Sequence, residues 1–455
     1  AVGDVNNDGW PDVLITQYGG VKLFLNHHGD GTFTDVTKEA GLDVPGWSTS
    51  AAFLDYDRDG RLDLVVARYL DYNPAATCAG ATGKPDYCNP STFHGVVAVL
   101  YHNITGADSR PRFEDVTTPS GLGRLPGPGL GVLCADFDGD GWPDIFVAND
   151  GKPNHLWMNQ KNGTFQEEAV RRGVAYSGLG VAQAGMGVAL GDAAGDGMED
   201  LVVTHLGEEN HTLWRQGPRG LFHDQSGAAG LTATQWRGTG FGTVLADFDL
   251  DGAQDLAVVN GSVRRNAAAV PGEAALGPYW SAYAGRNQLF TGDGKGSFRD
   301  LSASQGTLCG AACVGRGLIV GDVNGDGAPD LLLTTVEGRA RLLLNRTPNR
   351  GHWLTVRALD AAHHDRDAVG AEVTVRAGER RWLRRADPGG SYLCSGDPRA
   401  LFGLGAATAI DSLIVRWPDG SREEFVRGPA DRQVDRLAAV REGEGRPAPA
   451  EERKP

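Results

Sequence analysis

Residues 135–147 read Ala-Asp-Phe-Asp-Gly-Asp-Gly-Trp-Pro-Asp-Ile-Phe-Val, and this pattern sets the architecture expected for the chain. A regular strand would hold the alternating carboxylates of Asp136, Asp138 and Asp140 too far apart to share one ion. A tight loop brings them to one centre, Gly141 supplies the backbone freedom for that turn, and Asp144 completes the set. Oxygen ligands at this spacing favour calcium over magnesium. The Ile-Phe-Val run that follows predicts a strand.

The motif occurs six times, and the copies are numbered here as loops one to six. The metal ligands predicted at positions one, three, five and nine are Asp4, Asn6, Asp8 and Asp12; Asp55, Asp57, Asp59 and Asp63; Asp136, Asp138, Asp140 and Asp144; Asp192, Asp196 and Asp200; Asp247, Asp249, Asp251 and Asp255; and Asp322, Asn324, Asp326 and Asp330. Ala194 removes the third-position ligand of loop four, so that loop is expected to bind calcium most weakly. Self-similarity at roughly 50 residues or more indicates a propeller.

Composition supports an all-β fold with bound metal. The 455 residues include 66 glycines, as expected for many tight turns, and short strand-sized apolar runs recur throughout. The formal net charge of −15 argues against a nucleic-acid partner. Six calcium ions would bring that charge to about −3, so we expect five to six Ca2+ ions and folding that is coupled to calcium.

The six cysteines suggest an oxidising compartment. Disulfides are predicted for Cys78–Cys88 and Cys309–Cys313, each closing a short loop, whereas Cys134 and Cys394 are expected to be buried thiols. Disulfides and calcium loops of this kind favour a secreted, periplasmic or cell-surface protein. The sequence contains no signal peptide and no transmembrane run, and it opens directly on loop one, which suggests a mature product or a fragment.

A ligand site is expected where the strands that follow the loops end. These strands are interpreted as innermost, so their ends should meet at the mouth of the central channel, beneath long insertions at 71–98 and 261–286. The predicted ligand-binding residues are Gln17, Arg68, Asn149, Asp150, His205 and Asn260. The alternative is a hydrated channel without a ligand. His27, His28, His211, His363 and His364 are interpreted as solvated turn residues rather than metal ligands.

The loops and the strands after them resemble the FG-GAP, or VCBS, repeats of integrin-type propellers. The C-terminal motifs around Trp353, Gly370, Tyr392 and Trp417 resemble the ASPIC/UnbV domain, and the whole order is similar to bacterial members of the cartilage acidic protein 1 family. The pattern departs from that family at Asp365, Glu372 and Cys394. The resemblance implies a seven-bladed β-propeller over residues 1–347 and a small β-sandwich-like domain over 348–427. The tail, residues 428–455, is expected to be disordered.

We therefore predict a secreted calcium-binding propeller that acts as an extracellular binding or adhesion module, with structural calcium. Its partner would be a protein, a glycan or a small molecule. The resemblance leaves an alternative open, an enzyme of secondary-metabolite or glycan chemistry at the propeller mouth. It would use Arg68, Asp150 and His205 beneath an aromatic lid, and the lid residues are Tyr279, Trp280 and Tyr283. A third hypothesis is a purely structural matrix module.

Overall fold

A computed structural model describes residues 1–79, 85–86, 88–265 and 270–449. Parts of both predicted insertions (80–84, 87 and 266–269) and the end of the predicted tail (450–455) lie outside the described residues. Strands dominate, and each helix is a single short turn, so the all-β prediction is confirmed. The α-helical turns are Thr117–Ser120, Ala169–Arg172, Gly277–Trp280 and Gly306–Cys309.

Six antiparallel sheets follow one another along residues 2–343 and form the blades of a propeller. Their strands are Val2–Gly3, Asp12–Gln17, Gly20–Asn26 and Phe33–Asp35 in blade one; Ser48–Leu54, Asp63–Arg68, Val99–Asn103 and Phe113–Asp115 in blade two; Gly129–Ala135, Asp144–Asn149, His155–Asn159 and Phe165–Glu167 in blade three; Val188–Gly191, Asp200–Val203, Thr212–Gly217 and Leu221–Asp224 in blade four; Gly240–Ala246, Asp255–Asn260, Gln288–Gly292 and Phe298–Asp300 in blade five; and Gly315–Gly321, Asp330–Thr335 and Arg341–Leu343 in blade six.

Each loop joins the first strand of a blade to the second. The first strands of neighbouring blades contact one another from blade one to blade six, so the first strand is the innermost. Our interpretation of the strands after the loops as innermost was therefore wrong. Those strands are buried on both faces because a middle strand of a propeller packs between two neighbouring blades, and not because it lines the central axis.

Blades one and six each have one sheet face whose apolar side chains are exposed. Ile15 is 49% exposed and Phe33 44%, whereas their counterparts in the other blades are at most 7% exposed. Those counterparts are Val66, Val147, Val203, Val258 and Leu333 for Ile15, and Phe113, Phe165, Phe222 and Phe298 for Phe33. In blade six, Leu342 is 52% exposed. These are the two faces that a further blade would cover. The predicted total of seven blades stays a prediction.

The C-terminal domain is a sandwich of two sheets around one apolar core. In the first sheet, His352–Asp360 pairs with Arg366–Asp367, Ala400–Gly405 and Arg436–Arg441. The second sheet has the order Arg380–Ala386, Ala371–Ala377, Ser412–Arg416, Arg422–Glu424 and Arg446–Pro447. Residues 428–447 thus supply two strands, so the prediction of a disordered tail was wrong there. The polar composition of this segment concealed Ala438 and Val440, which are buried in the core.

The cysteines follow the prediction in part. Cys78 and Cys88 form the predicted disulfide. The predicted Cys309–Cys313 disulfide is absent among the described residues, since both thiols are free and buried. Cys313 lies in a two-residue strand, Ala312–Cys313, that pairs with Gly285–Arg286, and its thiol lies 3.5 Å from Asn287 Oδ1. This pairing holds Cys313 in a short ladder separate from the blade sheets, whereas Cys309 ends the helical turn Gly306–Cys309.

Candidate functional site

All six loops share one hydrogen-bond frame. The first aspartate accepts backbone N–H groups from the residues four and five positions later, at 2.7–3.1 Å, in every loop. The last aspartate accepts an N–H from the third strand of its blade, as in Asn159 to Asp144 at 2.8 Å. The glycine at position six has a positive φ, 94° at Gly141, which an L side chain rarely adopts. The frame turns the carboxylates inward, as predicted from the spacing.

The carboxylates of three loops meet closely enough to share one cation. Ligand oxygens of one residue triplet lie within 4.8 Å of one another in each of loops two, three and five. These triplets are Asp55, Asp57 and Asp63; Asp136, Asp138 and Asp144; and Asp247, Asp249 and Asp251. Within the described chain, Asn6 Oδ1, Asp57 Oδ1 and Asp200 Oδ2 are buried without a hydrogen-bond partner. Such oxygens in loops one, two and four fit the donor set of a hard divalent cation.

Crowding makes these carboxylates hard to ionise without a cation. Burial, together with the charges of neighbouring aspartates, raises the pKa of Asp12 to about 7, of Asp63 to about 7 and of Asp247 to about 8. Burial likewise raises the pKa of Asp144 well above its usual range. A bound divalent cation would offset both effects, so the loops are suited to hold metal rather than to act as acids.

Sequence reasoning missed a histidine at loop two. His102 Nδ1 lies 3.1 Å from Asp63 Oδ1 and 3.5 Å from Asp57 Oδ2. The hydrogen bond with Asp63 raises the pKa of His102. The residue directly precedes the third-strand Asn103, and the same position in blade four holds Arg215, which contacts Asp196 at 2.9 Å. The signal was a histidine or arginine directly before the residue whose N–H donates to the last loop aspartate, where the other blades have neutral side chains.

Most residues of the predicted ligand ring form hydrogen bonds within the protein. Gln17 is exposed at a strand end, and the Arg68 guanidinium donates to the Pro45 carbonyl. Asn149 donates to Pro153 O and Asn260 to Arg286 O, each at 2.7 Å, so both side chains hold the loops of their own blades. Asp150 accepts the Tyr69 hydroxyl at 2.5 Å, whereas His205 is buried and bonded to Thr212. A cleft shared by all six residues stays a prediction.

A segment of the C-terminal domain fills the middle of the propeller. Residues 388–397, here called the channel segment, exchange two backbone hydrogen bonds between Ser391 and Val188 in blade four. The Ser391 hydroxyl donates to Leu318 O in blade six at 2.6 Å and accepts the Thr243 N–H of blade five. Tyr392 is 8% exposed and packs in an apolar cluster with Leu130, Met186 and Phe241, among others. The open channel of the sequence prediction is therefore blocked from the loop side.

The face of the propeller opposite the loops carries an aromatic cluster. Trp47 contacts Tyr18, Tyr69 and Tyr72 edge-on with ring centroids 5.1–5.7 Å apart, and Tyr72 contacts Phe93 of the first insertion. Tyr18 is 56% exposed. The predicted aromatic lid forms a separate cluster, in which the rings of Tyr279, Trp280 and Tyr283 lie 4.8–6.4 Å apart. Exposed aromatic groups of this kind mark a surface suited to binding.

Two histidines in blade four are buried and neutral. His211, predicted to be solvated, is 6% exposed, and its Nδ1 accepts the backbone N–H of His205 at 3.2 Å. Burial lowers the pKa of His205 to about 3 and that of His211 to about 4. His205 lies two residues after the strand Asp200–Val203, and His211 directly precedes the strand Thr212–Gly217. Both side chains are buried, which a turn-like local sequence does not reveal.

These histidines should make the protein acid-sensitive. Their folded pKa values lie below the unfolded value of about 6.5, so the unfolded state binds more protons in that window. The free energy of unfolding should therefore fall by about 1.4 kcal/mol per pH unit for each histidine as pH drops below about 6.5. Denaturant unfolding of wild type and His205→Asn at pH 7 and pH 5, both in calcium, checks this. The variant should lose less stability between the two pH values, and an equal loss would contradict the assignment.

Comparison with known families identifies both parts of the chain. Residues 4–66, 136–203 and 279–333 match the FG-GAP-like repeat model, and residues 361–445 match the ASPIC and UnbV model. Cartilage acidic protein 1 of Mus musculus is 28% identical, over 92% of this chain and 60% of its own length. The Homo sapiens protein is 30% identical, over 82% of this chain and 50% of its own length. The chain thus spans less than two thirds of these relatives.

Solved structures resemble the chain only distantly. An Agrocybe aegerita lectin, described as recognising non-reducing terminal N-acetylglucosamine, is 18% identical with a TM-score of 0.41, over 76% of this chain and 80% of its own. A Bacillus licheniformis rhamnogalacturonan lyase is 13% identical with a TM-score of 0.35, over 97% of this chain and 71% of its own. These likenesses carry no argument about function. Among the described residues, no helix is long and apolar enough to cross a membrane.

Proposed function

This chain belongs to the FG-GAP-repeat proteins that end in an ASPIC and UnbV domain, the group of cartilage acidic protein 1, and on that premise we propose that it is an extracellular, calcium-stabilised binding module. The observation that carries the proposal is the frame repeated in six loops, which leaves inward oxygens for a cation. The proposed location is secreted, periplasmic or at the cell surface, where calcium reaches millimolar concentrations.

Calcium in this proposal is structural. Its ligands would be the carboxylate and amide oxygens at positions one, three, five and nine, with a backbone carbonyl at position seven. Those carbonyls belong to Trp10, Arg61, Trp142, Met198, Ala253 and Ala328. Five to six ions would neutralise the loops and hold the first two strands of each blade together. Loop four, which lacks one ligand and has Arg215 beside Asp196, would bind most weakly.

A single-loop variant tests the calcium assignment. Asp138→Ala also removes an ion pair with Arg172, at 3.0 Å, so loop five offers a cleaner site. The Asp249 side chain accepts one hydrogen bond within the loop, from the Asp251 N–H. In calcium, Asp249→Ala should lower the free energy of unfolding by about 2–3 kcal/mol, which is what a well-occupied calcium site adds to stability. At a low calcium concentration, where the site is mostly empty, the same variant should cost far less. Thermal unfolding of wild type and variant at saturating and at low calcium gives the comparison, and equal losses at both concentrations would contradict the proposal.

The binding surface in this proposal is the face opposite the loops. The C-terminal domain covers the loop side, so the exposed Tyr18, together with the half-buried Trp47 and Tyr72, would offer the contact area for a protein, glycan or small-molecule partner. Asp150 and Tyr69 add a polar pair beside it. The enzyme alternative, which remains a hypothesis, would use Asp150 and His205; these residues bond to Tyr69 and Thr212, respectively.

A binding screen with a matched variant tests the surface. Wild type in calcium would be screened against glycan and extracellular-protein arrays, together with Tyr18→Ala and, as a control on the other insertion, Tyr279→Ala. Loss of a hit with Tyr18→Ala and its retention with Tyr279→Ala would support the aromatic cluster. Turnover of any compound, abolished by Asp150→Asn with calcium content unchanged, would favour the enzyme instead.

A further inference from the structure

The C-terminal domain sits directly on all six calcium loops. A Cβ atom placed on the position-six glycine of any loop would come within 3.5 Å of that domain. The glycines and their neighbours are Gly9 with His364, Gly60 with His363, Gly141 with Arg416, Gly197 with Arg381, Gly252 with Arg380 and Trp382, and Gly327 with Trp353. The contact therefore involves the whole ring of loops rather than one side of it.

Loop five shows what kind of contact this is. The Trp382 indole Nε1–H donates to Gly252 O at 3.0 Å, and Arg380 Nη2 donates to Asp251 O at 2.9 Å. The Gly405 N–H donates to Leu250 O, and the Gly351 N–H to Asp249 O. All four acceptors are backbone carbonyls. These bonds depend on the path of the loop backbone, which the carboxylates set as they converge.

Other loops are held in the same way. Arg399 Nη2 donates to Asp322 O in loop six at 2.9 Å, and Arg366 Nη1 donates to Asn7 Oδ1 in loop one at 2.6 Å. Loop three is different, because Arg416 Nη2 lies 2.8 Å from Asp136 Oδ2, a ligand oxygen. A cation in loop three would reduce the negative charge that attracts Arg416. Arg350 Nη2 likewise lies 3.4 Å from Asp326 Oδ2, a predicted ligand in loop six. These two contacts oppose the coupling, but they are outnumbered by the six contacts to carbonyls and amides described for loops one, five and six.

We propose that docking of the C-terminal domain onto the loop face is coupled to calcium binding, so that each favours the other. The inference rests on the proposed calcium binding by the loops. Calcium would hold the loop carbonyls where the domain's donors meet them, and the docked domain would in turn preorganise the loops for calcium. Because such coupling is reciprocal, it can be measured from either side.

From the side of the domain, the test removes two donors to loop five. Arg380→Ala combined with Trp382→Phe deletes both side-chain bonds and keeps an aromatic ring in the domain core. Calorimetric calcium titration of the full chain should show one class of site weakened about five- to tenfold, the low end of allosteric coupling. Arg432→Ala, which removes an exposed arginine paired with Asp411, is the control and should leave every site unchanged.

From the side of the metal, the test removes calcium from loop five alone. Hydrogen exchange of Asp249→Ala in saturating calcium should be faster by about fivefold or more at the Gly351 and Gly405 amides, which donate to the loop. Amides of Asp144–Asn149 in blade three should be unchanged. If wild type binds no calcium, the proposed function fails. If wild type binds calcium but neither test shows a change, the coupling is overturned and the proposed function stands.

Discussion

Excess chelator is expected to abolish the cooperative thermal transition that the protein shows in millimolar calcium. A site that is occupied at 100 times its dissociation constant adds about 2.7 kcal/mol to stability. Five such loops together add roughly 13 kcal/mol, which is as large as the whole stability of a typical domain, about 5–15 kcal/mol. Without the ions, clustered carboxylates such as those of Asp247 and Asp255 would also repel one another.

Calorimetry in calcium, in chelator and after calcium is restored measures this effect. Magnesium at the same concentration is the control, because it demands a smaller, octahedral site and should restore little of the transition. Recovery on adding calcium back would show that the loss is metal-dependent rather than irreversible aggregation. A melting temperature in chelator within a few degrees of that in calcium would overturn the structural role of the loops.

The loops and the strands were predictable because their determinants are local. Aspartates at fixed spacing around a glycine specify the turn of Asp136 to Asp144, and the apolar run after it specifies the second strand of blade three. The C-terminal domain was found through its motifs around Trp353 and Trp417. The disulfide between Cys78 and Cys88 followed from a short surface loop.

The parts that could not be predicted depend on contacts between distant residues. Ser391 bonds to Val188 and Leu318, in two different blades, and nothing in its local sequence indicates that it enters the channel. His364, interpreted as a solvated turn residue, contacts Asn7 O at 2.7 Å across 357 positions of sequence. The ligand ring was placed from strand order alone. Burial and hydrogen bonding then assigned Asn149 and Asn260 to their own loops.

The second large effect is expected at Glu372, which lies between two arginines in the interface of the two domains. Its carboxylate accepts hydrogen bonds from both Nε and Nη2 of Arg416. The same carboxylate lies 3.7 Å from Arg385 Nη2, which also pairs with Glu199. Glu372 and Arg385 are both buried, with side chains 8% and 11% exposed. Glu372→Ala should therefore lower the free energy of unfolding by about 3 kcal/mol, the low end for a broken buried ion pair, because among the described residues Arg416 keeps only Asp136 as a partner while Arg385 keeps Glu199.

Denaturant unfolding in calcium measures this cost, and Glu372→Gln is the matched variant because it keeps the side-chain shape and one acceptor. A second variant separates charge from packing. In Glu372→Ala combined with Arg416→Met, the guanidinium that lost its partner is gone, so stability should recover part of the way towards wild type. Asp136 loses its Arg416 contact in the same variant, but calcium in loop three would compensate that carboxylate. No recovery would mean that lost packing, not unpaired charge, causes the destabilisation by Glu372→Ala.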